Sequence, residues 1–246
     1  MNNTFAKSCV RDPNQKYISK SYITNMKEAD IFFNKWFWGT IKMSFRDMLK
    51  TQHSIIVGDN YTGHTNPVTN IPPKSIIRDE CKIELHKPLL KKEWYTEELK
   101  KYNFPLNVET KIKVDKIKFR KCHKITNTED GIKLCLPDAR HVKCYIIEME
   151  KIMKEFENYS IVNVPKKLFT LLGTYIHMGV ICHPFEKVNF SLIMLQVNFI
   201  LRHFEFNPIS HDYLDFECFM KPTEEIIKSF KRKVQDANKN KTIMAN

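Results

Sequence analysis

The side chains able to ligate a metal, attack an electrophile or move a proton near neutral pH are nine histidines and seven cysteines. The cysteines are Cys9, Cys81, Cys122, Cys135, Cys144, Cys182 and Cys218. An odd number at irregular spacing is no disulfide framework. There is no C-x-x-C pair, and Cys122-His123, His141-x-x-Cys144 and Cys182-His183 lack the spacing of a zinc site. Reduced, buried thiols in a cytoplasmic compartment are therefore expected, and no metal site. Two histidines stand apart. His177 lies within the most apolar run of the chain, Leu168 to Cys182, and reads as a structural histidine. His183 follows that run directly, in His183-Pro184-Phe185.

These residues need elements to position them. Leu168, Leu172, Tyr175 and Gly179 give the 168–182 segment a helical inner face, and Pro165 is placed to open that helix. After a break at His183-Pro184, residues 189–204 are apolar nearly all round. That pattern predicts a central buried helix, with Asn189 as its N-cap and Asn207-Pro208 ending it. Upstream, Val142, Ile146, Met149, Met153 and Phe156 form one amphipathic stripe. Residues 23–50 carry Phe33, Trp36, Phe37, Ile41 and Phe45 near helical spacing, a buried helix broken at Gly39. Residues 58–73 read as a loop. A helix is expected from Lys74 to about Lys91, then a helical segment around Glu93 to Tyr102. Residues 111–136 change character. Lysines alternate with Ile112, Val114, Ile117 and Phe119 before the turn signal at 127–131, which predicts a β-hairpin exposed on one face. The last 25 residues read as a short helix and a basic tail.

The chain has 246 residues and is 42% hydrophobic, enough for one sizeable core with or without a small helical extension. Six glycines are too few for a loop-rich all-β fold. The formal charge of +12 favours anionic partners without choosing among them. No nucleic-acid motif is found, so nucleic acid ranks last as a partner. The first residues have no apolar signal-peptide core, and no stretch reaches the roughly 20 apolar residues of a membrane span. No membrane association is expected.

The order of these features resembles the Fic (Fido) family. The segment LGTYIHMGVICHPFEKVNFSLIMLQVNFILRHFEFNPI, Leu172 to Ile209, is similar to that family's helix with a histidine, its H-P-F-x-x-G-N-G-R loop, its buried helix and its G-Y-P-P-like exit. Leu136-Pro137 and the helix to Phe156 resemble the family's lead-in. The hairpin stands where the family keeps its target-binding flap. Glu84-Leu85-His86 resembles the start of an I-H-x-x-L helix, and SIIVGDN, Ser54 to Asn60, resembles the S-x-x-I-E-G-N inhibitory helix.

The resemblance implies a mostly α fold: a Fic-like helical bundle with a small β-hairpin flap over the mouth of the central loop–helix. It divides the chain into an N-terminal helical extension with the inhibitory-like segment (1–78), a Fido-like core (79–221) and a basic tail (222–246). It implies transfer of AMP from ATP to a protein hydroxyl. His183 is then the general base, and the main-chain N–H groups of Val188, Asn189 and Phe190 hold the phosphate. ATP and Mg²⁺ are the implied cofactors and an unidentified protein the implied target. The sequence departs from the signature at several positions. Lys187 replaces the acidic Mg²⁺ residue, and Val188 and Phe190 replace the two glycines. Ser191 and Met194 replace the two arginines, and Val57 replaces the inhibitory glutamate. Cation clamping of the phosphates is gone, together with the ion pair that regulates it. The expectation is weak, altered or lost transfer; the alternative is an inactive pseudoenzyme that binds a protein. Target, donor nucleotide and oligomeric state are not legible.

Overall fold

The computed structural model describes residues 8–9, 20–58, 75–81, 86–91, 109–110, 113–114, 117–118, 123–128, 131–159, 164, 166–185, 188–212 and 214–239, with backbone alone for Cys81 and for the strands. Its described residues are mostly helical. Helix α1 (Lys20–Phe37) buries Met26, Ala29, Phe33 and Phe37, and breaks at Gly39, whose φ of 70° admits glycine without strain. Ser44 opens α2 (Phe45–Val57), its Oγ accepting the Asp47 N–H at 3.1 Å, and Gly58 closes it. A single turn, α3 (Arg78–Cys81), precedes the strands. Asp138 caps α4 (Ala139–Glu157) by accepting the Arg140 N–H at 3.0 Å. Helices α5 (Leu168–Cys182), α6 (Asn189–His203), α7 (Leu214–Met220) and α8 (Thr223–Ala237) follow. No helix among the described residues is long and apolar enough to cross a membrane.

Helix α6 is the axis of the core. Apart from Ser191, every residue from Asn189 to Leu201 is buried, as its all-round apolar sequence requires. Helix α5 packs beside it and also against α4, α7 and α8, while α1 and α2 pair on its far side. The predicted α4 stripe, Val142 to Phe156, is buried throughout. The buried side chains of α1 and α2 join the same cluster as those of α4 to α8. The 222–246 segment supplies more than a tail, since α8 buries Ile226, Phe230 and Val234. Gly173 lets α5 and α8 approach, because a Cβ there would lie 2.9 Å from the Ile227 Cα.

Several polar side chains inside the bundle tie the helices together. His177 bridges the Thr223 hydroxyl (3.0 Å) and the Cys218 carbonyl (2.9 Å), tying α5 to α7 and α8; it is structural, as expected. Tyr175 donates to Gln196 Oε1, Gln196 Nε2 donates to Gln52 Oε1 at 2.6 Å, and Gln52 Nε2 donates to the Ala29 carbonyl at 3.3 Å. Burial, with some help from Cys182, pushes the Tyr175 hydroxyl well above its usual range and keeps it a donor. Asn198 grips Ile209 by its N–H and carbonyl, both at 3.0 Å, fixing the exit from α6. Arg202 pairs with Asp30 at 2.6 Å, joining the end of α6 to α1.

The helix expected from Lys74 to Lys91 is not formed. One helical turn at 78–81 is followed by strand β1 (His86–Lys91), paired antiparallel with β6 (Gly131–Cys135). Pro88 accounts for the difference: it has no N–H for an i→i−4 bond and blocks the preceding turn, and the ladder shifts register just after it. His86, expected near the start of an I-H-x-x-L helix, is thus in strand. β6 also pairs with β5 (His123–Thr128), and β5 with β2 (Glu109–Thr110), while β3 (Lys113–Val114) pairs with β4 (Ile117–Lys118). A flap position over the α5–α6 turn does not follow from these pairings. The 58–73 loop (beyond Gly58), the 93–102 helix and Pro165 fall outside the described residues.

Candidate functional site

The candidate site is the turn joining α5 to α6. Helix α5 ends at Cys182, and His183 takes a left-handed conformation (φ 46°, ψ 60°) while its N–H donates to the Gly179 carbonyl at 3.2 Å. That reversal brings the half-buried His183 to the outside of the turn and sends Pro184 and Phe185 into the core. Phe185 stacks on His53 of α2, with ring centroids 4.0 Å apart and planes 14° apart; His53 Nδ1 lies 2.9 Å from the Ser75 hydroxyl. The residue immediately before the segment that resembles an inhibitory helix therefore packs directly on the His-Pro-Phe turn.

Asn189 has a different job from the N-cap expected. The cap position belongs to Val188, and Asn189 is the first helical residue. Its Oδ1 accepts the Phe185 N–H and its Nδ2 donates to the Phe185 carbonyl, both at 2.8 Å. This two-point grip closes the turn on itself and leaves no side-chain cap for the first N–H groups of α6. By helix geometry, the N–H groups of Asn189, Phe190 and Ser191 have no acceptor within the helix. With the helix dipole they form a generic anion-attracting end.

Val188 sits at φ 61°, ψ 10°. A β-branched residue is uncommon there, and the penalty for an L-residue is about 1–2 kcal/mol. The turn thus takes a conformation that favours glycine, at a position where the resembled signature has glycine and this sequence has valine. Phe190 directs its ring edge-on to His211, centroids 4.1 Å apart, and is nearly buried. Met194 is fully buried in the core, and Val57, the last residue of α2, is buried and apolar. The structure thus brings His183, Val188, Asn189, Phe190 and Ser191 into one turn and helix start. Met194 lies one turn into α6, facing the core. Glu186 and Lys187 fall outside the described residues.

One residue that positions the turn has no signal in the sequence. Arg78, 2 % exposed, fastens the whole turn. Its Nε donates to the His183 carbonyl at 2.8 Å, and its Nη2 donates to the Cys182 carbonyl at 2.9 Å and to the Pro137 carbonyl at 3.1 Å. Its main-chain N–H donates to the Pro184 carbonyl at 2.9 Å. A guanidinium at the carbonyl end of α5 also complements the helix dipole. Burial lowers its pKa from the usual arginine value. Next to it, Asp79 receives a two-point bond from Arg46 of α2, and Glu80 receives Lys50 at 3.1 Å. No periodicity flags Arg78, because it lies in a one-turn helix, too short for any apolar repeat to declare an inner face.

The thiols of Cys9, Cys182 and Cys218 are buried. Cys182 and Cys9 are each pushed up to about 12 by burial, and Cys218 is raised well above its usual value for the same reason. Cys9, Cys144, Cys182 and Cys218 form no disulfide with one another. Among the described residues no three His, Cys, Asp or Glu side chains converge as metal ligands.

The turn does not fit ATP with Mg²⁺ in the way the signature would. A Cβ occupies the αL position where backbone should approach phosphate most closely, and Phe190 is committed to His211. The first six residues of α6, NFSLIM, carry no charge. No protein-family model matches the chain, and no curated protein matches it.

Proposed function

We propose that this chain is a Fido-type scaffold, related to protein adenylyltransferases, that retains the histidine-headed turn and has lost the nucleotide–metal site. Transfer of AMP from ATP to a protein hydroxyl is accordingly weak, altered or absent. The observation that carries the reading is Val188 at φ 61° directly before an apolar helix and five residues after His183. A chain with no glycine ancestry at that place would have little reason to bend there, since the conformation costs energy. In this reading the strand-forming 109–135 region is the flap that engages the protein target. His183, with Arg78 holding its carbonyl, is the base that would accept the proton of a Ser, Thr or Tyr hydroxyl.

The alternative role, a protein-binding pseudoenzyme, is favoured by the filled cradle: the Val188 side chain, the Phe190–His211 contact and the neutral Ser191 and Met194. Incubation with labelled ATP and Mg²⁺, with calorimetry in parallel, separates the two. Label transferred to protein and abolished in His183→Ala supports residual transfer. Neither binding nor transfer supports the pseudoenzyme. Tight Mg²⁺-dependent ATP binding overturns the loss of the site.

A further inference from the structure

A second feature runs along α6, on the side of the loop that leaves it. Ser8 and Cys9 dock there, between Asn198 of α6 and the loop at 209–211. Cys9 is fully buried and belongs to the hydrophobic core cluster. Asn198 Nδ2 faces the Ser8 hydroxyl at 3.2 Å, Cys9 Sγ at 3.7 Å and the Ile209 carbonyl at 3.0 Å. An amide nitrogen has two hydrogens for these three acceptors, so the 8–9 segment and the loop share it. Ile209 has a second tie of its own, because its N–H donates to Asn198 Oδ1 at 3.0 Å. The loop is therefore pinned to α6 at Ile209 with or without Ser8 and Cys9.

Two residues further on, the pinning changes hands. The His211 N–H donates to the Ser8 carbonyl at 3.0 Å. The His211 ring, 3 % exposed, is the one that meets Phe190 edge-on in the first turn of α6. The 8–9 segment thus backs the residue that covers Phe190, beside the His183 turn. Its own hold on the bundle is modest. Among the described residues, undocking gives up one main-chain bond, a share of one amide and the burial of one small thiol. The helix–helix packing of the core is left whole. A segment tied in this way opens locally, at a free energy below that of global unfolding.

We infer that Ser8 and Cys9 form a releasable clasp that holds His211 against Phe190, and that release of the clasp uncovers Phe190 at the start of α6. Nothing in the clasp rests on the transferase reading. The full native chain is treated with iodoacetamide, and peptide mass spectrometry follows Cys9, Cys182 and Cys218. All three thiols are fully buried, and burial raises each well above its usual pKa, so none reacts in place. Cys9 should be alkylated roughly tenfold faster than the other two, because the clasp opens while α5 and α7 stay folded. The added group cannot return to a fully buried place, so the alkylated chain is held open. In it the His211 amide should exchange roughly tenfold faster with solvent, and the Phe190 ring resonances should move, while those of Tyr175 stay unchanged. Alkylation of Cys9 no faster than that of Cys182 and Cys218 would mean that residues 8 and 9 leave only with the whole fold. Unchanged His211 exchange and Phe190 resonances after alkylation would disconnect the clasp from the ring pair. Loss of the Tyr175 resonances as well would make the segment part of the core. Each of these three results overturns the clasp.

Discussion

Replacing Val188 by alanine and by glycine tests the turn at its most unusual point. In an ordinary helical position glycine is less stable than alanine by about 0.8–1 kcal/mol. At φ 61° the order should invert. Alanine keeps the left-handed penalty of about 1–2 kcal/mol, while glycine is relieved of it and loses about 0.5–1 kcal/mol to its freer unfolded chain. Both variants lose the two γ-methyl groups of the partly buried valine, so that loss cancels in the comparison and only the Cβ of alanine is left in its favour. Val188→Gly should therefore be more stable than Val188→Ala by about 0.5–1 kcal/mol. The same pair at Ser191, in the first turn of α6, should show the opposite sign. Urea unfolding at constant m-value measures both differences. If alanine proves the more stable at 188, the backbone there is not left-handed, and the reading of the turn as a glycine loop fails with it.

Other perturbations follow from the same contacts. Arg78→Met removes three hydrogen bonds from buried carbonyls and should cost about 3–5 kcal/mol in denaturant titration; Arg78→Lys should recover less than half, since one compact ammonium cannot reproduce the planar fork that reaches three separate carbonyls. Gly173→Ala forces α8 away from α5, because the new Cβ meets main chain, and should cost about 1–3 kcal/mol and lower the melting temperature. For Glu217, burial alone would raise the carboxyl, but hydrogen bonds from Lys221 and Ser229 outweigh it and hold the pKa below the usual 4.5. Its folded pKa is thus depressed, so its contribution is present above about pH 4.5 and is lost as pH falls through the folded value. Glu217→Gln should destabilise at pH 7 and converge with the parent chain in strong acid, read from unfolding curves across pH.

The helices were legible where one periodicity ran unbroken. Val142 to Phe156 declared an inner stripe, and residues 189–204, apolar on every side, could only be a central helix. The break at His183-Pro184 was equally plain. Within the turn, legibility stopped at side-chain direction. Asn189 looked like a cap because caps favour asparagine, but the left-handed Val188 moves the cap back by one residue and turns the amide onto Phe185. Arg78 and Gln52 were invisible for another reason: their partners stand 23 to 144 residues away, and nothing local marks a residue whose meaning is set by a distant carbonyl or amide. Lys74 to Lys91 is charged and mixed enough to pattern as a helix, and Pro88, where the chain is in strand, is the local signal against it.

The amide chain from Tyr175 through Gln196 and Gln52 to the Ala29 carbonyl bears on how this interior can and cannot rearrange. Greasy helices nest in many nearly equivalent ways, and a slide of one residue costs little when every neighbour is a hydrocarbon. Here such a slide would strand an amide with no mate in a dry interior, at about 1–3 kcal/mol for each group left alone. Helices α1, α2, α5 and α6 are thereby locked in phase. That lock keeps α5 and α6, the two helices that flank His183, in register with each other.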